Sequence, residues 1–162
     1  MLAYNVKNAV GRLKDYQFWA VSSHSDIDFA WALDNTPQLG QVTVYIAQAE
    51  DDPLLPESVR LTAQDYIDGE RLAGCHVFAT LPTLKPVVVT VSGVDDIDVR
   101  NSIDSALQSF FTARIESRAS LFSNEISTVI SSITNQFTLV SPTATTAFLK
   151  SELLTYGGVV WQ

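Results

Sequence analysis

The sequence predicts an α+β protein built of two small sheet-plus-helix layers, with antiparallel or mixed sheets. Stretches of period-two alternation, such as Ile27–Leu33 and Val42–Ile46, are interspersed with stretches at helical spacing, such as Asp98–Glu116. Each layer would bury one helix face on its sheet. We place the division near Pro82, which gives domains 1–82 and 83–162, and one continuous domain fits the same order of elements.

The first domain is predicted to begin with a helix and a hairpin. Lys14–Ser23 carries Tyr16 and Trp19, with Ala20 beside them, at a spacing that suits one face of a short helix. The strand Ile27–Asp34 follows, and a Pro-and-Gly turn separates it from a second alternating strand, Val42–Ile46. Two adjacent alternating stretches joined by such a turn predict an antiparallel hairpin.

A helix and a strand complete this domain. Pro56 suits the first helical position, where its missing N–H is not needed, and Gly69 is suited to end the helix. Cys75–Thr80 is predicted as the next strand. The apolar, β-branched stretch Val87–Val94 then opens the second domain as a strand.

The second domain is dominated by the long helix Asp98–Glu116, with Asp98 as the expected N-cap. Ser123 is the expected cap of a shorter helix. Phe137–Val140 and Leu153–Trp161 are predicted as the last two strands.

The composition narrows the range of functions. Hydrophobic residues make up 46% and charged residues 17%, which is a globular balance. A net charge of −8 disfavours a nucleic-acid partner, because phosphate backbones are themselves negative. No apolar run approaches the roughly 20 residues of a membrane span. The N-terminus has no apolar core followed by a cleavage site, so we expect no signal peptide and expect the protein to be made and used in a cytoplasm.

The order of these motifs resembles the C-terminal half of the baseplate J-like family, the wedge proteins of contractile phage tails and related injection machines. The stretch "YQFWAVSSHSDI" is similar to the family's aromatic-and-small stretch with its His-x-Asp-hydrophobic step, and "PQLGQVTVYIA" is similar to its hairpin. The stretches "RLAGCHVFATLP", "VVVTVSGV", "LFSNEISTVISSI" and "ELLTYGGVVW" follow in the family's order. The resemblance covers about Tyr16 to Trp161 and rests on order and spacing.

This chain departs from the family pattern at three points. Pro37 and Gly40 are not adjacent, Leu72 lacks a preceding proline, and the chain begins where a typical member already has a long N-terminal portion. The resemblance implies a non-enzymatic baseplate subunit that packs against copies of itself and other baseplate proteins around the central spike of a sixfold baseplate. It further implies a location in the virion tail, with assembly in the host cytoplasm.

The rival hypothesis is a small hydrolase or ligand-binding enzyme that uses His24. Serines and Asp26 flank His24, but no strand-to-helix nucleophile elbow is present, so we assign no catalytic residue. A third hypothesis is a free-standing module that binds a small molecule in an apolar pocket. Replacing His24 with Ala separates the rival from the structural hypothesis.

No metal or cofactor site is assigned from the sequence. Cys75 and His76 are adjacent, so their side chains would lie on opposite faces of a strand, and Cys75 is interpreted as a buried strand thiol. A single cysteine also excludes an internal disulfide. The acidic stretches "AEDDP" and "VDDID" lack the spacing of a helix-loop-helix calcium loop and are interpreted as a solvated loop and a helix start.

Interface residues are predicted from the aromatic side chains. One side of a two-stranded ribbon lacks a covering element unless a helix or another chain packs on it. We therefore expect the exposed side or edge of the hairpin to serve assembly, together with aromatic residues near the C-terminus. The candidate interface residues are Trp31, Tyr45, Tyr156 and Trp161.

Overall fold

The structure, a computed structural model, describes residues 11–162. Most of the N-terminal stretch in which we expect no signal peptide, residues 1–10, lies outside the described residues. The elements are α1 (Leu13–Ser23), β1 (Phe29–Asp34), β2 (Gln41–Ala47), α2 (Glu57–Glu70), β3 (His76–Thr80), β4 (Thr83–Ser92), α3 (Ile97–Arg114), α4 (Ser123–Ser131), β5 (Thr138–Ser141) and β6 (Glu152–Trp161). The predicted α+β class is confirmed.

Two compact units make up the chain. The first comprises two segments, the described residues up to Gln48 and Asp52–Pro82. The second comprises Ala49–Asp51 and Thr83–Gln162. Each unit holds one three-stranded sheet, ordered β1-β2-β3 in the first and β5-β4-β6 in the second.

Both sheets are mixed. The predicted hairpin is confirmed, with β1 antiparallel to β2 and Trp31 directly opposite Tyr45. After α2 the chain returns as β3, parallel to β2, which is the geometry that a helical crossover permits. In the second sheet β4 lies between an antiparallel neighbour, β5, and a parallel one, β6.

Each sheet packs one face against helices. The first core buries apolar side chains of α1 and α2 on alternating strand residues, among them Trp19, Val44, Ile46, Ile67 and Val77. The second core does the same with α3 and α4, through Val89, Val91, Ile103, Leu107 and Ile126. These are the apolar positions at helical and strand spacing in the sequence, so the amphipathic pattern positions both cores.

The helix starts differ from the predicted ones. The N-cap of α3 is Asp96, whose carboxylate accepts hydrogen bonds from the N–H groups of Asp98 and Val99, so the expectation of an Asp98 cap is wrong. In α4, Ser123 is the first helical residue, and the Glu125 carboxylate accepts from the N–H of Phe122 at 2.8 Å. Pro56 stands one position earlier than expected, at the N-cap of α2.

The strand β4 begins at Thr83 and runs through Pro86, earlier than the predicted start at Val87. A proline cannot donate to a ladder, but β5 pairs only with the part of β4 beyond Val89. Pro86 therefore lies on a stretch that has β6 as its one paired neighbour in the sheet, where its missing N–H is tolerated.

Candidate interaction surfaces

Trp31 and Tyr45 lie inside the protein. Their exposed fractions are 6% and 8%, so the expectation that they are exposed is wrong. The Trp31 ring stacks on Tyr45 at 5.2 Å between centroids and on Phe29 at 6.0 Å. Aromatic residues directly opposite each other on paired strands cover each other's faces, which the alternation alone did not reveal.

Tyr156 and Trp161, the two candidates near the C-terminus, are half-buried against α3. The Tyr156 hydroxyl donates a hydrogen bond to Asp104 at 2.5 Å, and burial together with this carboxylate raises the pKa of Tyr156. The guanidinium of Arg100 lies over the Trp161 ring, 5.3 Å from its centroid. Both aromatic side chains thus bind their own helix through a polar or cationic contact and keep part of their surface exposed.

The face of the second sheet opposite its helices carries exposed valines. Val88, Val140 and Val160 are 47%, 39% and 47% exposed, and each comes from a different strand. Thr90, on the central strand, is paired with Val160 of β6 and with Ser141 of β5. We call Val88, Thr90, Val140 and Val160 the valine face.

Charged side chains are excluded from the valine face. In the described sheet, the residues that alternate to this side are Leu84, Pro86, Val88, Thr90, Ser92, Thr138, Val140, Ser141, Leu153, Thr155 and Val160. None is charged, in a chain with 28 charged residues counted as 10 basic and 18 acidic. Sequence reasoning missed this surface, although the alternation in "VVVTVSGV" contains it, because the stretch is apolar on both faces.

The outer edge of β3 is closed by side chains of α2. The Gln64 amide donates to Val77 O at 2.9 Å and accepts from Ala79 N at 2.7 Å. Arg60 donates to Ala79 O at 3.0 Å, and Arg71 donates to Cys75 O. We call Arg60, Gln64 and Arg71 the α2 bracket.

Two carboxylates hold the α2 bracket in place. Glu57 pairs with Arg60, and Asp68 pairs with Arg71 and accepts from the Gln64 amide. The hydrogen bond from Arg60 lowers the pKa of Glu57, and the hydrogen bonds from Arg71 and Gln64 lower the pKa of Asp68. The bracket therefore occupies the backbone groups of β3 that would pair with another strand.

His24 stands at the C-cap of α1. Its Nδ1 accepts a hydrogen bond from the N–H of Asp26 at 3.2 Å and lies 3.5 Å from the Asp26 carboxylate. The Ser23 hydroxyl donates to Ala20 O instead. Across residues 11–162 the structure brings no serine hydroxyl into hydrogen-bonding contact with His24, the arrangement that a nucleophile and its base require.

The side chains that could bind a metal ion, those of Cys, His, Asp and Glu, are not grouped into a site in the described residues. Cys75 is half-buried and precedes β3, so its interpretation as a buried strand thiol is wrong, and His76 is exposed. Burial, followed by the Cys75 thiol, raises the pKa of Tyr16 to about 12. Among the described residues no group of three or more His, Cys, Asp or Glu side chains is arranged to hold a metal ion.

Within the described part of the chain, no helix combines the length and apolar character needed to cross a membrane. Comparison with protein-family models gives no match for this chain, and no curated protein matches it. Function is therefore inferred from the surfaces described above.

Proposed function

We propose that this chain is a structural subunit of the baseplate wedge of a contractile phage tail or related injection machine. It acts through contacts with copies of itself and with other baseplate proteins around the central spike, in the virion tail. The valine face is the observation that carries this proposal.

The physical argument rests on exposure and charge. Val88 and Val160 each leave nearly half of their surface in water, on neighbouring strands, and no charged residue of the described sheet strands alternates to their side. Depletion of charge in an apolar centre is typical of protein interfaces. Because the chain carries a net charge of −8, a neutral face is also where an equally acidic neighbour packs with least repulsion.

The size of the face points to an interface of moderate strength. Stable pairwise interfaces bury roughly 800 Å² on each partner, which is more than a few half-exposed valines supply. A ring shares its stability among many contacts, so weak individual interfaces suffice and remain able to rearrange.

The test is affinity isolation of the tagged chain from cells that assemble the whole particle, with mass spectrometry of its stoichiometric companions. We expect other tail or baseplate proteins, and we expect Val160→Lys to lose them. Leu61→Lys is the matched control, because Leu61 is 49% exposed but belongs to α2 of the first unit and is not part of the valine face. A parent chain recovered without companions would refute the proposal.

A further inference from the structure

The strand β6 forms one edge of the second sheet. In the order β5-β4-β6, its one paired neighbour in the described sheet is β4. The parallel ladder ends where Gln162 N donates to Val91 O at 3.0 Å. Alternate residues of a strand bond to a given neighbour, and Val91 lies opposite Trp161. The backbone N–H and C=O groups of Val159 and Trp161 therefore point away from β4.

This outer edge of β6 is open. Among residues 11–162 no strand and no side chain hydrogen-bonds to the outward backbone groups of Val159 and Trp161. The stretch Leu153–Gln162 also contains no charged residue and no proline, the residues that commonly protect an edge. By contrast, the α2 bracket closes the edge of β3, and β5 is only four residues long and is followed by Pro142.

The open edge is also held in a fixed conformation. The guanidinium of Arg100 lies over the Trp161 ring, 5.3 Å from its centroid. Arg100 Nε donates to Val94 O at 2.7 Å, which anchors this cation to the loop before α3. A strand that is already ordered loses little conformational entropy when another strand pairs with it.

We propose that a second copy of this chain pairs with the outer edge of β6, antiparallel, about a two-fold axis at Val160. In this register Val159 of each copy lies opposite Trp161 of the other. Each of these two pairs exchanges two backbone hydrogen bonds, and Val160 lies opposite its counterpart in the other copy. The paired segment begins beyond the irregularity of the ladder at Gly157 and Gly158, so the bulge does not interrupt it.

The chemistry of the edge favours a second copy as the partner. An aromatic side chain opposite a β-branched one, as Trp161 opposite Val159, stabilises an antiparallel pair. A net charge of −8 makes two copies repel, and an uncharged edge is where they approach at least cost. A two-fold contact needs a surface that complements itself, and this register supplies the same pair in both directions.

The pairing deepens the proposed function by naming one contact between copies, and as a baseplate contact it rests on that function. As a property of the purified chain it is tested without any other tail protein. A purified chain that stays monomeric would overturn the pairing, whereas the proposed function depends on the companions isolated from the particle.

The first test is sedimentation equilibrium of the purified full chain. We expect a reversible monomer–dimer equilibrium that Val159→Pro weakens at least about tenfold, because each copy loses an outward N–H but keeps its bonds to β4. Val88→Lys is the control, since Val88 belongs to the valine face but lies on the central strand. It should dimerise like the parent chain. Loss of the dimer in Val88→Lys but not in Val159→Pro would assign the contact to the valine face and overturn the proposal.

The second test does not depend on how well a proline is tolerated. Opposite residues that are not hydrogen-bonded place their Cβ atoms about 4.5 Å apart, near the upper limit for a disulfide. In a Cys75→Ser background, Val160→Cys should therefore form a covalent dimer under mild oxidation. Val88→Cys is the matched control, because both valines are 47% exposed but the Val88 side chains would lie at least about 14 Å apart, three strand spacings.

Hydrogen exchange adds a residue-level readout. The amides of Val159 and Trp161 should become protected as the chain concentration rises, whereas the Gln162 amide, bonded to Val91, should be protected throughout. Equal cross-linking of the two cysteine variants, or growth into open-ended oligomers instead of a dimer, would overturn the two-fold pairing.

Discussion

The side-chain amide of Gln64, on α2, accepts a hydrogen bond from the backbone N–H of Ala79, on the outer edge of β3. The same amide donates to Val77 O, so one side chain replaces both partners that an added strand would offer. Exposed strand edges invite pairing with other chains, and native proteins protect them. The α2 bracket is such protection, and it confines association to other surfaces.

Gln64→Leu is therefore expected to open the β3 edge. The two backbone groups lose their amide partner, which costs about 1–2 kcal/mol of unfolding free energy. Urea denaturation measures this loss. Sedimentation velocity should show added, concentration-dependent association, because the freed edge can pair with another chain.

Thr62→Ala is the control for Gln64→Leu. Thr62 is exposed on α2, and its hydroxyl donates within the helix to Ser58 O. This variant should match the parent chain in association state. If Gln64→Leu also matches the parent, the bracket does not guard the edge.

Local patterns were sufficient to predict the order of the elements but not the pairing of distant strands. Tyr16 and Trp19 at helical spacing mark α1, and the alternation at Val42–Ile46 marks β2. The parallel pairing of β3 with β2 depends on where α2 returns the chain, and that of β6 with β4 depends on where the segment containing α3 and α4 returns it. No local period in the sequence contains this information.

The candidate surfaces were harder to predict, for physical reasons that differ between residues. Trp31 and Tyr45 have the composition of an interface but cover each other by stacking. The sequence predicts Val88 as a core residue, because its strand is apolar on both faces, but its side chain is exposed in the structure.

Gly157→Ala is expected to disrupt the pairing of β4 and β6. A Cβ at Gly157 would lie 2.9 Å from the Val87 carbonyl carbon, and backbone there cannot yield without breaking the ladder. We expect a loss of roughly 1–3 kcal/mol in unfolding free energy, the usual cost of overpacking. Thermal and urea unfolding measure it.

Gly69→Ala is the matched substitution in the first unit. Nothing lies within 4 Å of a Cβ at Gly69, which occupies the last turn of α2. Alanine favours helix over glycine, so a gain of up to about 1 kcal/mol is expected. Equal effects of the two substitutions would contradict the close approach of Gly157 to Val87.

Tyr16 and Tyr156 are expected to ionise late in alkaline titration. Burial and then Cys75 raise the pKa of Tyr16 to about 12, and burial and then Asp104 raise the pKa of Tyr156. A raised folded-state pKa gives stability that is complete below pH 10 and lost as the pH rises through the folded value. Tyrosinate absorbance near 295 nm should remain incomplete at pH 11 until the chain unfolds.

Tyr156→Phe separates the two tyrosines. It removes the hydroxyl that donates to Asp104, at a cost of about 1 kcal/mol near neutral pH. The variant should also lose less stability than the parent chain above pH 10. Complete ionisation of all tyrosines in the folded parent by pH 11 would contradict both assignments.

Glu125 is expected to contribute to acid unfolding. Burial alone would raise its pKa, but the Phe122 N–H and Arg114, whose Nη1 lies 2.8 Å from the carboxylate, outweigh burial and lower it. A lowered folded-state pKa gives stability that is present above the ordinary value of 4.5 and lost as the pH falls through the folded value. Glu125→Gln keeps an acceptor for Phe122 but does not titrate, so its unfolding free energy should fall less steeply between about pH 5 and pH 3. Glu70→Gln, at the exposed end of α2, is the control and should keep the slope of the parent chain; an equal slope in Glu125→Gln would assign the acid sensitivity elsewhere.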